Sequence, residues 1–250
     1  MARGSYLAGA LKTGILATAL IAGLAVPGYA GDAPKLTLSG SATFTTDYMF
    51  RSVSNTDQDP AAQPEFDLTY GMWWAYIWGS NTAFGRSGHI EIDYGGGISP
   101  KWGNWTFTVG GLEYTYPSSD PELDYFELKT GASWTSGAWT LAVNNYWSPD
   151  NFQVFGDSDA IEGTVAYAWT KKLWNFFTPN ISGTFGHQSY EEVAHDYFYW
   201  NAGLTFAFLE HWSLDARYYD TDYSEEECFV NSGGRNNCDA RAVGALKVTF

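Results

Sequence analysis

From Lys35 to Phe50 the sequence alternates between two kinds of side chain, Met49 being the exception. Leu36, Leu38, Gly40, Ala42, Phe44, Thr46, Tyr48 and Phe50 share one parity, and Lys35, Thr37, Ser39, Ser41, Thr43, Thr45 and Asp47 the other. Alternation sends successive side chains to opposite faces of a strand. Soluble strands usually run about five or six residues, and this one is far longer. One apolar face and one small polar face suit a strand between lipid and a wet lumen. After the N-terminal segment no apolar run reaches helix-spanning length, so any membrane crossing must be made by strands.

The pattern recurs along the chain. Phe66, Leu68, Tyr70 and Met72 alternate, then Trp74, Tyr76 and Trp78, then Ile90, Ile92 and Tyr94 against Glu91 and Asp93. Trp105, Phe107 and Val109 begin a strand whose phase changes at Gly110-Gly111 and resumes with Leu112, Tyr114 and Tyr116, which predicts a bulge at the glycine pair. Phe126 and Leu128 oppose Glu127 and Lys129; Leu214, Ala216 and Tyr218 oppose Asp215 and Arg217; Leu246, Val248 and Phe250 close the chain in phase. Twelve strands are expected, with ten or fourteen as alternatives because the stretch from Pro64 to Trp78 divides in more than one way. Long acidic links, such as Arg51–Gln63, Ser148–Asp159 and Tyr223–Asp239, alternate with tight ones such as Lys101–Asn104 and Leu209–His211. The expected fold class is therefore all-β, a transmembrane antiparallel up-and-down β-barrel of about twelve strands. A Greek-key sandwich would mix the two kinds of link.

Arg3 and Lys12 precede an apolar stretch, Ile15 to Val26, which ends in Pro27-Gly28-Tyr29-Ala30. Residues 1–30 read as a signal peptide and 31–250 as the barrel. A net charge of −15 with no basic stripe argues against a nucleic-acid partner. An aromatic content of 18% argues against disorder, and two cysteines are too few for a disulfide scaffold. The expected location is the cell outer membrane of a Gram-negative bacterium, among outer-membrane lipid and lipopolysaccharide. A last strand ending on Phe250 itself resembles the signal that outer-membrane assembly machinery reads, which makes that machinery an expected partner. Tyr48, Phe50, Tyr114, Tyr116, Trp147, Trp169, Trp174 and Trp212 sit at expected strand ends, where aromatic girdles form.

Asp47-Tyr48-Met49-Phe50-Arg51-Ser52-Val53-Ser54-Asn55-Thr56, followed by Pro60-Ala61, resembles the DYxFRGxSxTxxxPA opening of the TorF family of proteobacterial porins, the Gcw_chp domain. Trp78-Gly79-Ser80-Asn81, Glu91-Ile92-Asp93 and Tyr114-Thr115-Tyr116-Pro117 resemble that family's WxSN, EID and YxYP elements, in order and over nearly the whole mature chain. Ser52 departs from the pattern, which has Gly there. The resemblance implies an outer-membrane barrel of channel type, with no assigned substrate or catalytic residues.

The residues themselves set the chemistry. Asp47, Glu91, Asp93, Glu113, Glu127, Glu162 and Asp215, with Lys35, Lys129, Arg217, Arg241 and Lys247, fall on the parity opposite the apolar set and are expected to line the pore. On the lipid face near mid-bilayer each cation would cost about 2–4 kcal/mol. An acidic excess inside favours cations, so the expected function is passive diffusion of small hydrophilic solutes or ions with a cation bias. Barrels of eight strands are filled by side chains while those of about sixteen hold channels. A closed structural or surface-binding barrel is therefore the alternative, and an outer-membrane hydrolase a more distant one. His187 and Ser189 share a link but define no triad, and His187, Glu191, Glu192 and His195 lie in an acidic loop that fixes no ligand geometry. Neither a catalytic residue nor a metal or other cofactor is expected. Cys228 and Cys238 are expected to form a disulfide in an oxidising compartment, stiffening the last long loop.

Overall fold

A computed structural model describes residues 34–84, 88–117, 119–120 and 122–250, and the expected signal peptide lies outside them. Twelve long strands carry the fold: β1 (Leu36–Thr45), β2 (Ala61–Tyr70), β3 (Trp73–Asn81), β4 (Ile90–Ile98), β5 (Trp105–Thr115) and β6 (Tyr125–Ser136) in the first half. The second half holds β7 (Trp139–Ser148), β8 (Ser158–Ala168), β9 (Thr178–Tyr190), β10 (Tyr197–Phe208), β11 (Trp212–Thr221) and β12 (Arg241–Thr249). Each pairs antiparallel with its neighbour in sequence. The series runs on through β12 and closes where β1 meets β12, with Ser41 opposite Thr249 and Thr45 opposite Ala245. Closure leaves no sheet edge. The expected twelve strands and up-and-down order are what the chain adopts.

Outward parity is apolar and uncovered. Leu38 is 72% exposed, Phe44 58% and Phe185 57%, values that belong to a belt facing a non-aqueous solvent. Four odd strands, β3, β5, β7 and β11, begin on an exposed tryptophan at the tight-turn end: Trp73, Trp105, Trp139 and Trp212. An indole suits the boundary between hydrocarbon and water, with its ring in one and its N–H in the other. Among the described residues no helix is long and apolar enough to span a membrane. Phe250 continues β12 by exchanging backbone hydrogen bonds with Gly40 at 2.9 and 3.0 Å. A Cβ on Gly40 would stand 2.4 Å from the Phe250 ring, so the closing aromatic needs a glycine beneath it.

Several expectations about parity fail together, and for one reason. β1 ends at Thr45, and the next residues turn into the lumen: Met49–Phe50 pairs with Val53–Ser54 as a short hairpin. Tyr48 is buried and Phe50 partly so, both inside, and Tyr114 and Tyr116 are buried inside as well, so these four join no girdle. β5 carries no bulge. It pairs one-to-one with β6 from Trp105↔Trp134 through Gly110↔Lys129 to Tyr114↔Tyr125. The unbroken parity that turns Leu112 and Tyr114 inward therefore turns Glu113 outward, where its side chain is exposed, and the pore-lining assignment of Glu113 is wrong. On β3 the outward residues are Trp73 and Ile77, while Trp74, Tyr76 and Trp78 enter the lumen. The apolar face of a strand is not its lipid face wherever the lumen holds a core of its own.

Candidate functional site

That internal core sits toward the long-loop end. Tyr48, Trp78, Tyr114, Tyr116, Tyr125 and Tyr146 form its buried centre. Tyr114 and Tyr125 stack at 4.5 Å between ring centroids, and Tyr48 lies 5.4 Å from Trp78. Space for the large inward rings comes from small neighbours. The indole of Trp74 lies where Cβ atoms on Gly97 and Gly110 would stand, at 2.8 and 2.4 Å. Gly110, of the pair read in the sequence as a bulge, is thus part of a seat for Trp74, while Gly111 lies against Phe126.

The hairpin spans the lumen from one wall to the other. Its tip, Arg51-Ser52, is left-handed at both residues (φ 45 and 63), the geometry of the two-residue turn that matches strand twist. Arg51 donates through Nη1 to Gln188 Oε1 on β9 at 2.6 Å and through Nη2 to Glu127 on β6 at 2.8 Å. It also lies over the Tyr146 ring, 5.1 Å from the centroid. Burial works against the guanidinium charge, and the Glu127 carboxylate more than restores it, so Arg51 stays charged. Tyr197 donates to the Arg51 carbonyl, and Ser52 Oγ donates to the Trp200 carbonyl at 2.9 Å. Ser52 therefore accepts a backbone conformation that suits glycine and gains a hydrogen bond there. At the hairpin's root Asp47 accepts from Ser54 Oγ (2.7 Å), Thr56 Oγ1 (2.9 Å) and Arg241 Nη1 (2.9 Å). The motif residues of the resemblance are those that build this plug.

A second layer covers the first. Helix α1 (Glu225–Ser232) starts at a capping box in which Ser224 and Glu227 bond reciprocally, and the Cys228–Cys238 disulfide ties its first turns to the return segment. Asn237 accepts from the Ser54 amide at 2.8 Å, and both cysteines pack with Val53, Tyr197 and Tyr199.

Most of the charged residues expected to line one pore fall into three groups. Glu91, Asp93 and Glu127 are sealed in the aromatic core at 0–1% exposure. Asp47 and Arg241 are bound together at the hairpin's root. Lys129, Arg217 and Lys247 border open space, Arg217 beside Asp215 (3.1 Å) and Lys247 near Glu65 (3.7 Å). That space is a cavity of about 350 Å³ beneath the hairpin, walled by Thr43, Thr164, Thr184, Asn201, Glu65, Lys129, Arg217 and Lys247. A second cavity of about 230 Å³ lies beside Trp74, Tyr76 and Thr108, and Lys129 borders both. Glu65 was not singled out in the sequence, although its inward parity opposite Ser41 marks it.

The His187 ring packs at a tilt against Phe198, 4.6 Å between centroids, and Ser189 Oγ donates to the Asp159 carbonyl. Among the described residues no group of three or more His, Cys, Asp or Glu side chains is placed to hold a metal.

A family profile described as a bacterial protein of unknown function (Gcw_chp) matches residues 29–250, and that description carries neither the TorF name nor an activity. Among curated proteins none matches the sequence. Of solved structures, the NanC porin aligns with a TM-score of 0.53 at 13% identity, covering 86% of this chain and 99% of its own. Another porin aligns at a TM-score of 0.42 and 13% identity, covering 86% and 100%. OmpT of Vibrio cholerae, an outer-membrane protein, aligns at 0.41 and 11%, covering 89% and 99%. The likeness to the NanC porin concerns the fold, and the two weaker likenesses carry no argument.

Proposed function

The chain belongs to the Gcw_chp family, and from that premise we propose that it is a porin-like channel of a bacterial outer membrane, passing small hydrophilic solutes through a lumen narrowed by its own first loop. The polar cavity of about 350 Å³ beneath the hairpin carries this reading. A barrel serving only as a structural cylinder has no need of a chamber walled by threonines, Asn201 and charged side chains. Weak ion selectivity follows from the lining. Asp47, Glu65 and Glu162 face Arg51, Lys129, Arg217 and Lys247 there, whereas the carboxylates that favoured cations in the sequence, Glu91 and Asp93, lie inside the aromatic core. The apolar belt and tryptophan ring support lipid and lipopolysaccharide as surroundings, and Phe250, 68% exposed on the last strand, supports recognition by assembly machinery.

One observation favours a closed barrel instead. Arg51, Ser52, Ser54 and Thr56 are 1–3% exposed, which means that little solvent reaches the hairpin from either end. Conductance in a planar bilayer distinguishes the two. A porin is expected to give small discrete steps that grow severalfold when Met49–Ser54 is replaced by a short glycine linker. If only the shortened variant conducts, the native molecule is a closed barrel, and if neither conducts the channel reading falls.

A further inference from the structure

The link between β8 and β9 closes on itself as a small hairpin. Leu173 and Phe177 exchange backbone hydrogen bonds at 2.7 and 3.0 Å. Trp174 and Asn175 at its tip are both left-handed (φ 48 and 58), a conformation uncommon for so bulky a side chain as tryptophan. Phe176 and Phe177 pack on Phe208 with ring centroids 5.7 Å apart, and Phe177 also meets Phe206 at 6.0 Å. Phe206 and Phe208 stand on the outward face of β10, opposite Leu214 and Trp212 of β11, which are themselves exposed. The hairpin therefore lies over the barrel's outer surface at the tight-turn rim. Trp174 touches Phe177 edge-on at 6.4 Å and is still 86% exposed, with Leu173 and Phe176 exposed beside it. Packing within the protein does not account for these side chains, which carry the apolar belt onward to the height of the headgroups.

Charge divides between the two ends of the barrel. Lys171 and Lys172 lead into the hairpin and are exposed. Among the described residues, the tight-turn links and the segment before β1 carry Lys35, Lys101, Lys171 and Lys172 against one acidic side chain, Glu210. The segment Tyr223–Asp239 at the other end carries Glu225, Glu226, Glu227 and Asp239 against Arg235. Exposed rings beside ammonium groups on long apolar stems match a leaflet whose headgroups are negative.

We propose that this hairpin, with Lys171 and Lys172, is a binding site for an anionic glycerophospholipid. The Trp174 ring sits at the headgroup boundary, and the two ammonium groups reach the phosphate. The acidic long-loop end repels the same headgroups, so the lipid preference belongs to one end of the barrel. This rests on the barrel's place in a membrane and not on its conducting.

The mature protein is refolded into phosphatidylcholine vesicles containing either brominated phosphatidylglycerol or, at the same mole fraction, brominated phosphatidylcholine. Quenching is read on the part of the tryptophan emission that Trp174→Phe removes. Brominated phosphatidylglycerol is expected to quench it as though enriched roughly fivefold or more at the site. The enrichment should disappear in Lys171→Gln/Lys172→Gln and stay unchanged in Arg235→Gln, a cation of the long-loop end. These side chains are all exposed, so the variants are expected to keep the fold. Equal quenching by the two brominated lipids, or an enrichment that survives Lys171→Gln/Lys172→Gln, overturns the proposal and leaves the membrane reading intact. Tryptophan emission that neither lipid quenches overturns both. Lipopolysaccharide that displaces the brominated phosphatidylglycerol at a lower mole fraction than the unbrominated lipid does assigns the surface to lipopolysaccharide, and that also overturns the proposal.

Discussion

Arg51 is the residue on which the plug depends. Its guanidinium joins β6 to β9 across the lumen and is 3% exposed, so its charge has no water to return to. Removing one member of a buried pair leaves the other uncompensated, which typically costs about 3–5 kcal/mol. Arg51→Ala is expected to lower stability toward urea by about that amount, and Arg51→Ala/Glu127→Gln to recover part of the loss, read as unfolding midpoints in micelles. A second residue effect belongs to the outer cap. Glu227 accepts from the Ser224 hydroxyl at 2.7 Å and the Ser224 amide at 2.9 Å, and these bonds hold its carboxyl below the usual range. Because the folded form binds its proton less readily than the unfolded form, the contribution is complete above the ordinary carboxylate range. It is lost as pH falls through the lowered value. Hydrogen exchange in α1, corrected for intrinsic rate, should therefore quicken on acidification, and Glu227→Gln should remove most of that pH dependence.

At the scale of elements, the strand is read easily from sequence and its contents less so. Alternation and link length led to about twelve antiparallel up-and-down strands, with ten or fourteen left open, because lipid imposes one solvent on one parity along the whole belt. What alternation alone does not give is which apolar residues fill the lumen, since a ring in an internal core has the same hydrophobicity as one in lipid. Glycine carries the missing signal. Trp74 points inward where Gly97 and Gly110, on the two strands beyond, leave its indole a space. Gly110→Val is expected to expel that ring, destabilising the barrel by about 1–3 kcal/mol and shifting tryptophan emission to the red as Trp74 meets water. The hairpin was legible as a motif but not as a plug. Its inward course is fixed by Gln188, Glu127 and Trp200, more than seventy residues away in sequence, and no local pattern encodes that meeting.

For the whole molecule the question is which charges an ion in transit would feel. Those in the aromatic core are separated from the polar cavity by tyrosine rings and, for Glu127, neutralised by Arg51. Those at the cavity wall are nearly balanced in sign, so replacing one of them changes the field along the passage more than a change in the core does. Lys129 is the most exposed to this argument, because it borders both cavities and any solute crossing from one to the other passes it. Lys129→Glu is expected to move the zero-current potential in a potassium chloride gradient toward cation selectivity. Glu91→Gln, tested alongside, should leave that potential nearly unchanged while altering stability. A reversal of that order, with Glu91→Gln shifting selectivity and Lys129→Glu leaving it unmoved, would place the conducting path through the aromatic core and make the hairpin a gate and not a wall.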